Sequence, residues 1–397
     1  SVCVNPLRVP DLAVAAAILS RELNLNESEL LGRMKWSEDS HRGFMWVKRK
    51  ISPEESARLR SLKLDWIEFR TETRRFYPNG FLAAHVLGSV DHAENGNGGI
   101  ELALNEELAG HPGYMRVTTD VKQNPFDAQI AVEPKPGRNI TLTIDSRIQY
   151  VMEQELKQAV ETTHAKTGSA VAMDPRNGEI LALASYPTYD PNESVKPGES
   201  LADRTDLAVS TPFEPGSVFK VITLASALET THLTPESIIP CGNGVINLFG
   251  RVIHDHKSYS ALSMADVLAH SSNIGAIQVG LRVGAPMLYE YIRRFGFGED
   301  TGISLPGESS GLLRKLAHWT KSSIGSVAMG QEVSTTTLQL ARACAVVADG
   351  GLLLKPRLIL KAGTGKAYGG PEDRPVRVLR PETAITMRRM MEGVVLH

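Results

Sequence analysis

Within Glu214-Pro215-Gly216-Ser217-Val218-Phe219-Lys220 a hydroxyl and an amine stand three residues apart. The run that follows, Val221-Ile222-Thr223-Leu224-Ala225-Ser226-Ala227-Leu228, has a helical composition, and the Pro-Gly pair marks a turn into it. Ser217 is therefore expected in the first helical turn, with Lys220 on the same face and its amine near the hydroxyl. A serine hydroxyl is a poor nucleophile until its proton is removed. A lysine becomes a base only if its pKa falls, and burial and the positive end of a helix dipole both disfavour the ammonium. The helix start also aims the Ser217 N–H toward a developing oxyanion. One short segment thus offers nucleophile, base and part of an oxyanion hole. Most chance Ser-x-x-Lys pairs are surface residues; this one is the only such pair in the chain.

A second constellation is His270-Ser271-Ser272-Asn273-Ile274-Gly275, after a helix-like run through Met264, Val267 and Leu268. Ser271 and Asn273 can converge on one site if the connection is a tight loop between helices. The hydroxyl could then relay a proton and the amide hold a substrate carbonyl. Taken alone, the same residues fit a helix cap better, since Ser and Asn are favoured there.

The elements that must carry these groups are partly legible. Asp11 is placed to cap an Ala-rich helix, and the Leu12 to Leu19 run is too short to span a bilayer. Ser52-Pro53-Glu54-Glu55 has the form of a capping box. Trp46-Val47-Lys48 looks extended, Phe76-Tyr77-Pro78-Asn79-Gly80 reads as strand then turn, and Asn95-Gly96-Asn97-Gly98-Gly99 as a loop. After the linker-like Glu133-Pro134-Lys135-Pro136-Gly137, the alternation of Ile140 to Ile144 predicts a strand. Asp145 then caps a helix to about Thr162, with Ile148, Val151, Met152, Leu156 and Val160 on one stripe. Ser169 to Met173 and Glu179 to Ala184 form a hairpin about Asp174-Pro175-Arg176-Asn177-Gly178. The domain boundary is expected near residue 138, dividing 1–138 from 139–397.

The order of the two motifs, their spacing and their flanks resemble the penicillin-binding protein and serine β-lactamase superfamily. Ala172-Met173-Asp174-Pro175-Arg176-Asn177-Gly178-Glu179-Ile180-Leu181-Ala182 is similar to the family's opening hairpin, and Phe213 to Ser217 to its approach to the nucleophile. Ala328-Met329-Gly330-Gln331-Glu332-Val333, with Thr337-Leu338-Gln339-Leu340-Ala341, resembles the division and sporulation branch of class B enzymes. Arg75 to Gly80 and Gly99-Ile100-Glu101 resemble that class's non-catalytic pedestal. The resemblance implies an α+β chain: an elongated pedestal, then a transpeptidase domain with an antiparallel sheet between helical clusters. It implies a peptidoglycan D,D-transpeptidase in which Ser217 is nucleophile, Lys220 general base, Ser271 proton relay and Asn273 substrate holder. Stem peptides would be its substrates and β-lactams would acylate the same serine. A membrane glycosyltransferase and other division proteins are its implied partners, on the outer, periplasmic side of the cytoplasmic membrane with a single-pass anchor. No cofactor is implied.

The family's third motif, Lys-Thr-Gly, does not follow the second. The chain stops at Met391-Glu392-Gly393-Val394-Val395-Leu396-His397, which looks like the segment preceding it. A literal Lys166-Thr167-Gly168 lies upstream of Ser217, where the pattern needs no lysine, and Thr364-Gly365-Lys366 is no better placed. Nor is a membrane helix or signal peptide visible, so the sequence reads as an internal slice. The parent protein is expected to be active and this exact chain impaired or inactive.

Bulk properties set the remaining bounds. With 397 residues, 42% apolar and 22% charged, the chain suits two soluble domains that need no disulfide or metal staples. A formal charge of -2 gives no reason to expect nucleic acid. Cys3, Cys241 and Cys344 are too sparse for a disulfide framework and are expected to be buried thiols. His254-Asp255-His256 is a weak metal signal, and no metal is expected. A serine β-lactamase would lack the first third and carry a glutamate for deacylation; a carboxypeptidase usually carries its extra domain after the catalytic one. A β-lactam sensor or a non-catalytic cell-wall scaffold remains the reading of a different class.

Overall fold

The computed structural model describes residues 1–119, 125–193, 195, 198, 204–363, 366–367 and 374–396. They fall into two compact units, Ser1–Phe76 and Tyr77–His397.

In the first unit, Val2–Val4 is the central strand of an antiparallel sheet, flanked by Met45–Lys48 and Ile67–Phe69. Helices Leu12–Leu23, Glu27–Asp39 and Pro53–Ser61 accompany it. Asp11 accepts from the N–H groups of Ala13 and Val14, and Ser52 and Glu55 form the reciprocal capping box that their spacing predicts. Such caps contribute about 1 kcal/mol each. Leu19, Leu23, Leu30 and Met34 are fully buried and close the core against the sheet.

The second unit has an antiparallel hairpin, Gly168–Met173 with Ile180–Tyr186, in which Val171 faces Leu183. Its turn closes at Gly178, whose N–H donates to the Asp174 carbonyl. Ile140–Leu142 pairs with Ile359–Ala362. The strand expected to reach Ile144 ends early because Thr143 becomes a junction. Its N–H donates to the Leu358 carbonyl and its hydroxyl to the Ile180 carbonyl, linking sheet and hairpin.

Asp145 caps the helix Ser146–Thr163 as predicted, but of the expected apolar stripe only Val160 is buried. Ile148 and Val151 are exposed and, with Met152, Leu156 and Ala170, line an open apolar groove of about 670 Å³. The fully buried position is Gln149. Its amide behaves as a peptide group toward one residue: Nε2 donates to the Leu183 carbonyl and Oε1 accepts from the Leu183 N–H, both at 2.8 Å. Two good hydrogen bonds outweigh the cost of burying an amide.

Two further expectations are revised. Phe76-Tyr77 is not a strand, since the Tyr77 N–H and carbonyl are both taken by the side chain of Asn192, at 2.9 Å each. The turn at Asn79-Gly80 does form. Cys3 and Cys241 are buried but Cys344 is exposed: on the helix Thr337–Ala348 the buried stripe is Ala343, Val346 and Val347, which leaves Cys344 facing out. Of the two Lys-Thr-Gly-like stretches, Lys166 is exposed just before a strand whose Gly168 packs on Leu156 and Val160. Thr364 and Gly365 lie outside the described residues.

A helical cluster surrounds Lys220–Thr230, in which every residue from Lys220 to Ala227 is buried. A helix buried on all sides needs partners on all sides. Met264–Ala269, Asn273–Val283, Ala285–Arg294 and Pro381–Leu396 supply them, with Leu224, Val279, Ile292 and Met387 in the shared core. Among the described residues no helix is long and apolar enough to cross a membrane.

Candidate active site

Gly216–Phe219 is a 3-10 turn that runs directly into the helix Lys220–Thr230. At three residues per turn, positions i and i+3 eclipse, so Lys220 stands over Ser217 more closely than α-helical geometry alone would place it. Ser217 is exposed, whereas Lys220 is fully buried. Lys220 Nζ lies 3.2 Å from Ser217 Oγ, 2.6 Å from the Ser271 carbonyl oxygen, 3.0 Å from Ser271 Oγ and 2.9 Å from Asn273 Oδ1. All four residues singled out in the sequence therefore meet at one nitrogen. Burial pulls the Lys220 pKa down from its ordinary 10.5 to about 8, against an opposing pull from the Asp255 carboxylate. At that value a useful fraction of the amine is neutral near physiological pH.

Ser271 and Asn273 sit in the tight connection between helices Met264–Ala269 and Asn273–Val283. The segment holds both a helix cap and a convergence of side chains, on different residues. The helix cap is Ser272, whose Oγ accepts from the Gly275 N–H at 2.9 Å. Ser271, with φ of +52°, turns its carbonyl and hydroxyl toward Lys220. Asn273 spends its oxygen on Lys220 and one N–H on the His254 carbonyl at 3.3 Å.

The stretch Met329-Gly330-Gln331 fixes the start of the serine turn. Gly216 N–H donates to the Gly330 carbonyl at 3.0 Å. Gly330 has φ of +81°, and a Cβ there would fall 2.1 Å from the Gly216 carbonyl oxygen. Only glycine fits both the backbone conformation and the close approach. Beside Ser217 opens a cleft of about 310 Å³, lined also by Asn273, Arg251 and Gln331. Arg251 donates to Ser326 Oγ at 3.0 Å and to Gln331 Oε1 at 3.3 Å.

Sequence reasoning missed Arg251, Gly330 as a contact of the serine turn, and Asp255. Asp255 lies in the stretch weighed as a metal signal. It accepts instead from the Ser272 hydroxyl at 2.6 Å and the Asn273 N–H at 2.5 Å. No periodicity marks these residues. Only a glycine between Met329 and Gln331 hinted at a backbone constraint.

A serine over a buried lysine, with Ser-x-Asn closing on the same nitrogen and an antiparallel hairpin beside a helical cluster, defines the penicillin-recognising class of α+β folds. The comparisons agree. The penicillin binding protein transpeptidase domain matches residues 168–397, and the penicillin-binding protein dimerisation domain matches residues 4–142. The chain belongs to this family, as a class B penicillin-binding protein.

Among its relatives, penicillin-binding protein PbpB of Mycolicibacterium smegmatis is 34% identical over 364 residues, covering 90% of this chain and 55% of that protein. Peptidoglycan D,D-transpeptidase FtsI of Escherichia coli is 32% identical over 382 residues, covering 95% and 62%. The chain thus spans little more than half the length of such relatives. Penicillin binding protein 3 of Mycobacterium tuberculosis superposes with a TM-score of 0.72 at 32% identity, over 81% of this chain and 69% of that one. That protein has also been solved in complex with aztreonam and with ampicillin.

Proposed function

We propose that this chain carries the acyl-transfer centre of a peptidoglycan D,D-transpeptidase of septal wall synthesis. The observation that carries the reading is the single nitrogen, Lys220 Nζ, within hydrogen-bond reach of Ser217, Ser271 and Asn273. Neutral Lys220 takes the Ser217 proton as Oγ attacks the carbonyl of the penultimate D-Ala in a stem peptide. The oxyanion forms beside the Ser217 N–H. The proton held on Nζ passes through the Ser271 hydroxyl to the departing D-Ala nitrogen, leaving an acyl-enzyme. An amine of a neighbouring stem then attacks, its proton returns by the same route, and Ser217 is released with the cross-link formed. Asn273 donates its remaining N–H to the substrate carbonyl.

A β-lactam enters the same step: its amide bond breaks on Ser217 attack and the ring nitrogen takes the proton. Catalytic roles for Ser217, Lys220, Ser271 and Asn273 are part of this proposal, as is a functional boundary near residue 138, supported by where the two family matches change over. Membrane anchoring, a periplasmic location and partnership with a membrane glycosyltransferase and other division proteins are inferred from the family.

The test is intact-protein mass after incubation with benzylpenicillin, for the chain and for Ser217→Ala. A mass increase of one penicillin, however slowly it accrues, that vanishes in the variant supports the reading; modification that survives the variant overturns it. Turnover of a stem-peptide thioester then separates a transpeptidase from a β-lactam sensor.

A further inference from the structure

We infer that Asp255 is a positioning residue for acylation, holding the Ser271–Asn273 loop beneath Lys220 without itself touching the reacting groups. The inference rests on the function proposed above.

Asp255 follows the strand Arg251–His254, which pairs with Val245–Leu248 in a two-stranded hairpin. One carboxylate oxygen accepts from the N–H groups of Asn273 at 2.5 Å and Ile274 at 3.1 Å, the other from the Ser272 hydroxyl at 2.6 Å. Ser272 in turn accepts from Gly275. The first three N–H groups of the helix Asn273–Val283 are thereby satisfied, two of them by a residue from a different element. A carboxylate at that end is also favoured by the helix dipole.

What lifts this above a cap is where the clamped residues point. Ser271 and Asn273 flank Ser272, and their side chains are two of the Lys220 partners. Ser271 holds φ of +52°, a conformation that a non-glycine residue keeps only when its surroundings over-determine it. Lys220 pulls on Ser271 and Asn273 from one side and Asp255 holds Ser272 and Asn273 from the other. The Asn273-to-His254 hydrogen bond ties the same two segments again.

Charge adds a second route. Lys220 faces the neutral groups of Ser217, Ser271 and Asn273, and Asp255 is the charged side chain that acts on it, favouring the ammonium. Asp255 itself faces Ser272, the Lys220 ammonium and, beyond Ser272, the Cys241 thiol, whose pKa burial pushes up. His254 and His256 adjoin it in the chain.

Asp255→Asn keeps the shape and removes the charge; Asp255→Ala removes both. Three readouts on the full chain test the inference: the acylation rate with a fluorescent penicillin across pH 6 to 10, amide hydrogen exchange, and thermal melting. For Asp255→Asn the plateau rate should fall at least about tenfold, the cost of loosening a catalytic geometry. The midpoint of its pH profile should move below that of the parent. Exchange at Asn273 and Ile274 should quicken at least about tenfold, with the amides of Lys220–Thr230 unchanged. A parent-like midpoint and parent-like exchange at Asn273 and Ile274 would sink the inference. So would faster exchange spread over the whole unit in both variants, which would make Asp255 a general fold residue. If Ser217→Ala still labels, the acyl-enzyme reading fails, and the exchange result alone then decides whether Asp255 holds the loop.

Discussion

Lys220 Nζ lies 2.6 Å from the Ser271 carbonyl oxygen, closer than to any of its side-chain partners, and farthest, at 3.2 Å, from Ser217 Oγ. A neutral amine has two N–H donors and one lone pair. With the N–H groups spent on the Ser271 carbonyl and on Asn273, the lone pair is left for the serine hydroxyl. The short backbone contact is thus what orients the base, and the left-handed Ser271 is what supplies it.

Acylation should follow the titration of Lys220. With a pKa of about 8, the rate of labelling by a fluorescent penicillin should rise about tenfold from pH 6 to 7 and level off above pH 9, whatever its absolute size. Stopped-flow labelling checks this, and a flat profile over that range would exclude Lys220 as the base.

Lys220→Met should abolish labelling while removing a pH-dependent liability. The folded pKa, about 8, lies below the ordinary 10.5, so between those values the folded state binds fewer protons than the unfolded one. Stability of the parent should therefore climb as pH rises from 8 to 10.5, by at most about 3 kcal/mol. Denaturant titrations at pH 7.5 and 10 should show that increment in the parent and not in the variant.

Asp206 is buried, with one oxygen shared by Ser185 Oγ and the Ala208 N–H and the other without a partner among the described residues. Burial raises its pKa from 3.8 to about 6. Its contribution to stability is fully present below pH 3.8 and is lost as pH rises through about 6. Asp206→Asn keeps an acceptor for both donors and should stabilise the protein at pH 7.5 by about 1–2 kcal/mol, within the ceiling that such a shift allows. Equal melting temperatures for parent and variant at both pH 4 and pH 7.5 would count against this.

Gly330→Ala should cost about 1–3 kcal/mol from backbone strain alone, and more from the clash with Gly216. Because the displaced group begins the serine turn, labelling should fall about a hundredfold even in the folded fraction. Melting curves and labelling of the same sample separate the two effects.

The local part of this protein was legible. Ser217 with Lys220, and Ser271 with Asn273, are each set by neighbours a few residues away, as are the caps Asp11, Ser52 and Asp145. What escaped was decided across the chain: Asp255 reaches Asn273 over 18 residues, and Asn192 reaches Tyr77 over 115. In each case a polar side chain satisfies backbone groups of a distant segment, and no spacing rule records that. The apolar stripe of Ser146–Thr163 misled for a related reason. Apolar periodicity marks a face that gains by burial, but of that face only Val160 is buried, and the fully buried position went to Gln149, whose amide is matched to one peptide group of Leu183.

That match has a directional consequence. Leu183 already gives its N–H and carbonyl to a side chain, so a further strand approaching from that flank finds no ladder to join at the middle of Ile180–Tyr186. Gln149 works as a stop on sheet growth, and any added strand must come from the opposite flank, along Gly168–Met173, which among the described residues pairs on one side only.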